Sequence, residues 1–128
     1  MMKYTFGKSE KLKNEKTIAL LFEKGKSVSA YPLRMVYLKV ESSDGAKIKA
    51  GVSVSKRHFK KAVDRNRIKR LMREAYRLQK QAFFSNFSAS YTLMFLYISK
   101  DGTDFETMCS KMSVLLEKFT KEISKSNP

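Results

Sequence analysis

The chain has 128 residues, 42% of them hydrophobic, and 27 Lys and Arg against 12 Asp and Glu give a formal net charge of +15. That length and apolar content suit one domain, residues 1–128, with a modest core, and the charge favours a polyanionic partner, nucleic acid or an anionic surface. No apolar run reaches the ~18 residues of a spanning helix, no secretory signal opens the chain, and the single Cys109 excludes an internal disulfide framework, so a reducing cytoplasm is expected.

Residues 1–8 read as an irregular lead-in with Phe6 as its anchor. A first helix begins at Ser9 or Asn14 and stops at Gly25, just after Lys24. Its last turns, Ile18-Ala19-Leu20-Leu21-Phe22, are apolar nearly all round, whereas a surface helix needs one apolar stripe. Either this helix is buried or it offers a second apolar side to something else. Ser27 to Val40 alternates as a strand, with Leu33, Met35 and Tyr37 on one side and Arg34, Val36, Leu38 and Val40 on the other. Pro32 starts the strand proper after itself or sets Val28–Tyr31 apart as a short edge strand. Ser42-Ser43-Asp44-Gly45 is a turn. The strand Ala46–Ser55 follows, with Ile48, Ala50, Val52 and Val54 inward; Gly51, on its other side, marks a close approach or a bulge.

The stretch Lys56–Lys80 carries eleven basic residues and two acids, Asp64 and Glu74. From about Asp64 to Gln81 it has helical spacing, with Ile68, Leu71, Met72, Ala75 and Leu78 at i, i+3, i+4, i+7. At about 100° per residue these lie within about 80° of Ile68, while Lys69, Arg70, Arg73, Arg77 and Lys80 fall between about 100° and 200°, with Asn66 near 160°. Arg65 and Arg67 sit on the flanks. Like charges at this spacing repel by a few tenths of a kcal/mol per pair. A structural surface helix would interleave acids; regularly spaced phosphates would relieve the repulsion, and the planar fork of arginine bonds phosphate bidentately. Ala82–Ser90 reads as a linker whose Phe83, Phe84 and Phe87 seal a core, with base stacking as the alternative. Tyr91–Ile98 is a strand buried on both faces. A third helix, Asp104–Ile123, carries Phe105, Met108, Cys109, Met112, Leu115, Leu116, Phe119 and Ile123 at core spacing, before a disordered tail at 124–128. The whole is α+β: a small two-layer sandwich of three helices and an about four-stranded mixed sheet, in the order α-β-β-(β)-α-β-α.

Catalytic signals are missing. The one histidine, His58, lies inside the basic segment, the acids show no metal-ligand spacing, and no Gly-rich phosphate loop occurs. No protein-only metal site is expected. A basic RNA-binding surface is the positive finding. A ribosomal-type structural RNA-binder and a DNA module with the helix in the major groove remain open. A membrane-surface binder is disfavoured, because the apolar stripe is needed for the core.

At these residues the chain resembles the bacterial ribonuclease P protein family. GVSVSKR, six residues, then DRNRIKRLMREAYR follows that family's signature, and Arg65-Asn66-Arg67-Ile68-Lys69-Arg70 with Arg73 matches its arginine-asparagine-arginine motif position by position. The likeness extends more weakly from about Phe6 to Phe119. The resemblance implies a left-handed β-α-β crossover, where physics alone would favour the right-handed one. It implies partnership with a catalytic RNA that cleaves the 5′ leader from precursor tRNA using Mg²⁺ bound mainly by that RNA, with no obligate protein partner and no membrane. Carried over by position, the surface for the catalytic RNA is Lys56, Arg57, Arg65, Asn66, Arg67, Lys69, Arg70 and Arg73. The leader cleft is lined by Ile18 and Phe22 with Met35 and Tyr37 opposite. An aromatic is common in the family where Ile18 stands, so stacking falls more on Phe22.

Overall fold

Pro32 divides the alternating run that follows the first helix, because a proline cannot donate to a ladder. The edge strand set apart before it is real. In the computed structural model, which describes residues 15–40, 48–84 and 89–126, the elements run α1 (Glu15–Lys24), β1 (Lys26–Ala30), β2 (Leu33–Val40), β3 (Ile48–Val54), α2 (Ala62–Phe84), β4 (Ser90–Tyr97) and α3 (Phe105–Ser126). The sheet order is β1-β2-β4-β3, with β4 antiparallel to β2 and parallel to β3. The apolar run expected at 91–98 is β4, one of the two interior strands, with partners on both edges and residues buried on both faces. The expected lead-in, the turn at 42–45 and Phe87 lie outside the described residues.

Strand alternation sorts the sheet into two faces. Leu33, Met35 and Tyr37 of β2, Leu93, Phe95 and Tyr97 of β4, and Ala50 and Val54 of β3 form the main core with α2 and α3. Three edge-to-face rings, Tyr37, Tyr91 and Phe119, close one end of it, with Tyr37 and Phe119 centroids 4.9 Å apart. On the other face Leu21 of α1 packs against Val36 and Met94, with Ile18, Leu38 and Leu96 around them. So α2 and α3 form the helical layer of the expected sandwich, and α1 adds partial cover to the second face, lying across β2 and β4.

Several expectations are corrected. The α2 helix continues through Phe84, so Phe83 and Phe84 are helical; both pack on the core, as the sealing reading required. Leu78 is 46% exposed, and Tyr76 is buried in its place. At about 100° per residue the two stand about 80° either side of Ile68. The sheet selects Tyr76, whose ring lies 5.1 Å from that of Phe95. Phe105, placed in the core by spacing, is the first residue of α3 and is exposed. The backbone at 124–126, taken as tail, is the end of α3.

Candidate nucleic-acid interface

Ser55 turns the chain out of β3. Its hydroxyl accepts from the Arg57 amide at 3.1 Å, and its carbonyl accepts from the Phe59 amide at 3.1 Å. Phe59 then tucks its ring against Tyr97, centroids 5.9 Å apart, and so fixes the middle of the loop to the core. Lys56, Arg57, His58, Lys60 and Lys61 are left facing solvent. At the Lys61 carbonyl the first helical turn closes, accepting from the amides of Asp64 and Arg65 at 3.2 Å each. Asp64 stands in that first turn, where a carboxylate suits the positive end of the helix.

The signature arginines do different things. Arg65 folds back over the loop: its Nη1 donates to the carbonyls of Phe59 at 2.8 Å and Lys60 at 2.9 Å. Arg67 reaches the other way, its Nη1 donating to the Thr103 carbonyl before α3 at 3.4 Å. Each guanidinium has five donors, so both still present N–H groups outward. Asn66, Arg70 and Arg73 are exposed and Lys69 is half-buried. Further along, Arg77 holds Glu74 bidentately at 3.2 and 2.6 Å and keeps its carboxyl below the usual range. Among the described residues no acid pairs with Arg70 or Arg73. The loop at 56–61 and the first half of α2 therefore both present basic side chains to solvent, and Arg65 braces the one to the other.

The apolar candidates separate. Ile18 and Phe22 lie one helical turn apart on α1; Ile18 is partly buried beside Leu21, and Phe22 is 50% exposed. The over-apolar last turns of α1 thus have a second, open apolar side. Met35 and Tyr37 do not stand opposite it. Both point through the sheet into the main core, where Met35 is 0% exposed, and Tyr37 touches Phe119. The floor beneath α1 is instead Val36, Leu38, Met94 and Leu96. The contact at Gly25 fixes this choice. Gly25 stops α1 against the backbone of Tyr37 and the side chain of Val36, so the helix must lie on the face that Val36 occupies. Among the described residues no group of three His, Cys, Asp or Glu side chains comes together in a way that could hold a metal ion. None of the described helices is long and apolar enough to cross a membrane.

Comparison with known proteins agrees with this architecture. A family model described as Ribonuclease P matches residues 6–120. The ribonuclease P protein component of Porphyromonas gingivalis is 40% identical over 109 residues, covering 81% of this chain and 80% of that protein. The one from Syntrophus aciditrophicus is 32% identical over 127 residues, covering 97% and 98%. Among solved structures, the RNase P protein of Thermotoga maritima superposes with a TM-score of 0.69 at 24% identity, over 85% of this chain and 96% of that one. That of Staphylococcus aureus gives 0.65 at 22% identity, over 86% and 94%.

Proposed function

The chain belongs to the ribonuclease P protein family, and from that premise we propose that it is the protein subunit of a ribonucleoprotein endonuclease that removes the 5′ leader from precursor tRNA. The observation that carries the RNA-binding part is that Arg70 and Arg73 on α2, and Lys56 and Arg57 on the loop before it, are exposed and free of acidic partners among the described residues. In this reading those residues meet the catalytic RNA. Their charges offset phosphate–phosphate repulsion where two RNAs approach. The active site and the Mg²⁺ it uses reside in the RNA.

The leader lies along the open side of α1. The exposed ring of Phe22 offers a face for one base, and the Val36–Met94 floor supports the helix that carries it. Ile18 supplies apolar contact and no stacking. Arg65 acts as a positioning residue, holding the loop that presents Lys56 and Arg57. These functions need no spanning segment and fit a cytoplasmic complex.

The test is reconstitution. Adding the chain to a bacterial ribonuclease P RNA at low Mg²⁺ should raise precursor-tRNA cleavage and tighten precursor binding relative to mature tRNA. An unchanged rate and unchanged affinities would overturn the proposal. Stable co-sedimentation with a ribosomal subunit at high salt would instead establish the structural RNA-binder.

A further inference from the structure

The sheet has a second cationic feature, at the end away from the basic loop. Tyr97 on β4 pairs with Val54, where that loop begins, whereas Tyr91 pairs with Lys39. Six residues of strand separate the two levels, about 20 Å at about 3.3 Å per residue. Beside Tyr91 lies a cavity of about 280 Å³, lined among the described residues by Lys24, Lys26, Lys39, Tyr37 and Tyr91 together with the apolar Leu38 and Ile123.

The cavity follows from strand lengths. The first residue of β1, Lys26, pairs with Tyr37, but β2 runs on to Val40. The edge of β2 from Leu38 to Val40 therefore has no β1 partner. The end of α1, carrying Lys24, comes down beside this gap. Three exposed lysines from three different elements line the cavity. Among the described residues one carboxylate, that of Glu122, acts on Tyr37 from α3, and it has contacts of its own. Burial raises both tyrosine hydroxyls above their ordinary 10.0, so neither adds negative charge to the lining. Lysines are compact point charges that suit a small, highly charged anion without requiring a planar one. A monovalent carboxylate would leave most of this charge unanswered.

We propose that this cavity binds a phosphate group as its dianion, held by Lys24, Lys26 and Lys39. The site is separate from the surface on α2 and does not rest on it. The phosphate comes either as a free ion or nucleotide, or as part of an RNA strand that reaches this end of the sheet.

The experiment is a titration of the full, isotopically labelled chain with inorganic phosphate, followed by amide chemical shifts and matched against sodium chloride of equal ionic strength. Saturable shifts at Lys26, Lys39 and Tyr91 are expected with phosphate and not with chloride. They should vanish in the double variant Lys26→Gln/Lys39→Gln, while any shifts at residues 56–61 persist. Both lysines are exposed, so this variant should fold. Shifts that chloride reproduces, or that survive the double variant, would overturn the site. The second arm measures binding to the ribonuclease P RNA. If RNA supplies the phosphate, the double variant binds that RNA more weakly, and its log affinity against log salt becomes shallower by about 0.7–0.9 for each phosphate released from the protein. If the ligand is free, RNA binding is unchanged and only the phosphate response disappears.

Discussion

Gly25 does two jobs in the space of one residue. Its amide donates to the Leu21 carbonyl at 2.8 Å and closes α1, and it passes so near the strand below that no side chain fits. A Cβ there would stand 2.3 Å from the Leu21 carbonyl oxygen and 2.9 Å from that of Tyr37, both backbone atoms. Backbone cannot swing aside as a flexible side chain can, so Gly25→Ala should cost about 1–3 kcal/mol, the usual scale of overpacking. A urea melt with an unchanged midpoint would contradict this close approach. Phe22 and Met35 make the complementary pair. Phe22→Ala removes an exposed ring and should alter stability by no more than about 0.5 kcal/mol, yet weaken leader-bearing precursor by about 1–3 kcal/mol if it stacks on a base, with mature tRNA spared. Met35→Ala should do the reverse: a stability loss of about 2–5 kcal/mol and no change in the precursor-to-mature affinity ratio. Paired melts and binding assays on the two variants decide which residue lines the cleft.

At the scale of the element, α2 shows what periodicity can and cannot fix. The apolar repeat located the helix and put Ile68, Met72 and Ala75 inward. It could not choose between Leu78 and Tyr76, which flank Ile68 symmetrically; packing against Phe95 made that choice. The same limit misplaced Met35. In β2 both sides of the alternation are apolar, so parity alone does not say which side meets α1. Nor does a one-dimensional charge pattern distinguish Arg65, which grips two carbonyls, from Arg70, which pairs with no acid among the described residues. Their variants should therefore diverge. Arg65→Ala should lower stability by on the order of 1 kcal/mol through the loss of charge-assisted bonds. Arg70→Ala/Arg73→Ala should leave the melt nearly unchanged and flatten the salt dependence of RNA binding by about 0.7–0.9 for each phosphate no longer neutralised. A salt-insensitive complex would remove α2 from the interface. In α3 the controlling residue is Asp104, whose carboxylate accepts from the Thr107 amide at 2.8 Å as an N-cap. Its pKa is lowered from the ordinary 3.8, first by the Thr107 backbone bond, then by the Thr107 side chain, with Arg67 a smaller contributor. A lowered native value means the stabilisation is present above the unfolded value and is lost as pH falls through the native one. Asp104→Asn keeps the cap geometry and removes this titration. Thermal melts between about pH 5 and pH 2 should therefore show a smaller acid loss in the variant than in the parent.

For the molecule as a whole, element types and chain order were readable, because Pro32, Gly25 and the uninterrupted run at 91–98 each mark a physical necessity. Strand order was less so. The insertion of β4 between β2 and β3 depends on where α2 returns the chain, which is a tertiary property. The net charge of +15 had its meaning only once the acids were located. Glu74 and Glu117 each hold a neighbouring base, Arg77 and Lys121, and Asp104 caps α3, so these three leave the surface around Arg70 and Arg73 unopposed.

The small second core under α1 has a kinetic consequence. Leu21 is the one fully buried side chain that α1 contributes among the described residues, and it meets only Val36 and Met94 at full burial, while α2, α3 and the sheet share a far larger interior. Cooperative units with few apolar anchors open at a fraction of the global free energy. The amides of α1 should accordingly exchange with deuterium well before those of β4 or α3, leaving the remainder intact. An oligonucleotide settling along Phe22 should slow that exchange selectively, which gives a readout of occupancy that needs no catalysis. Uniform exchange across all three helices would show that α1 opens only when everything does.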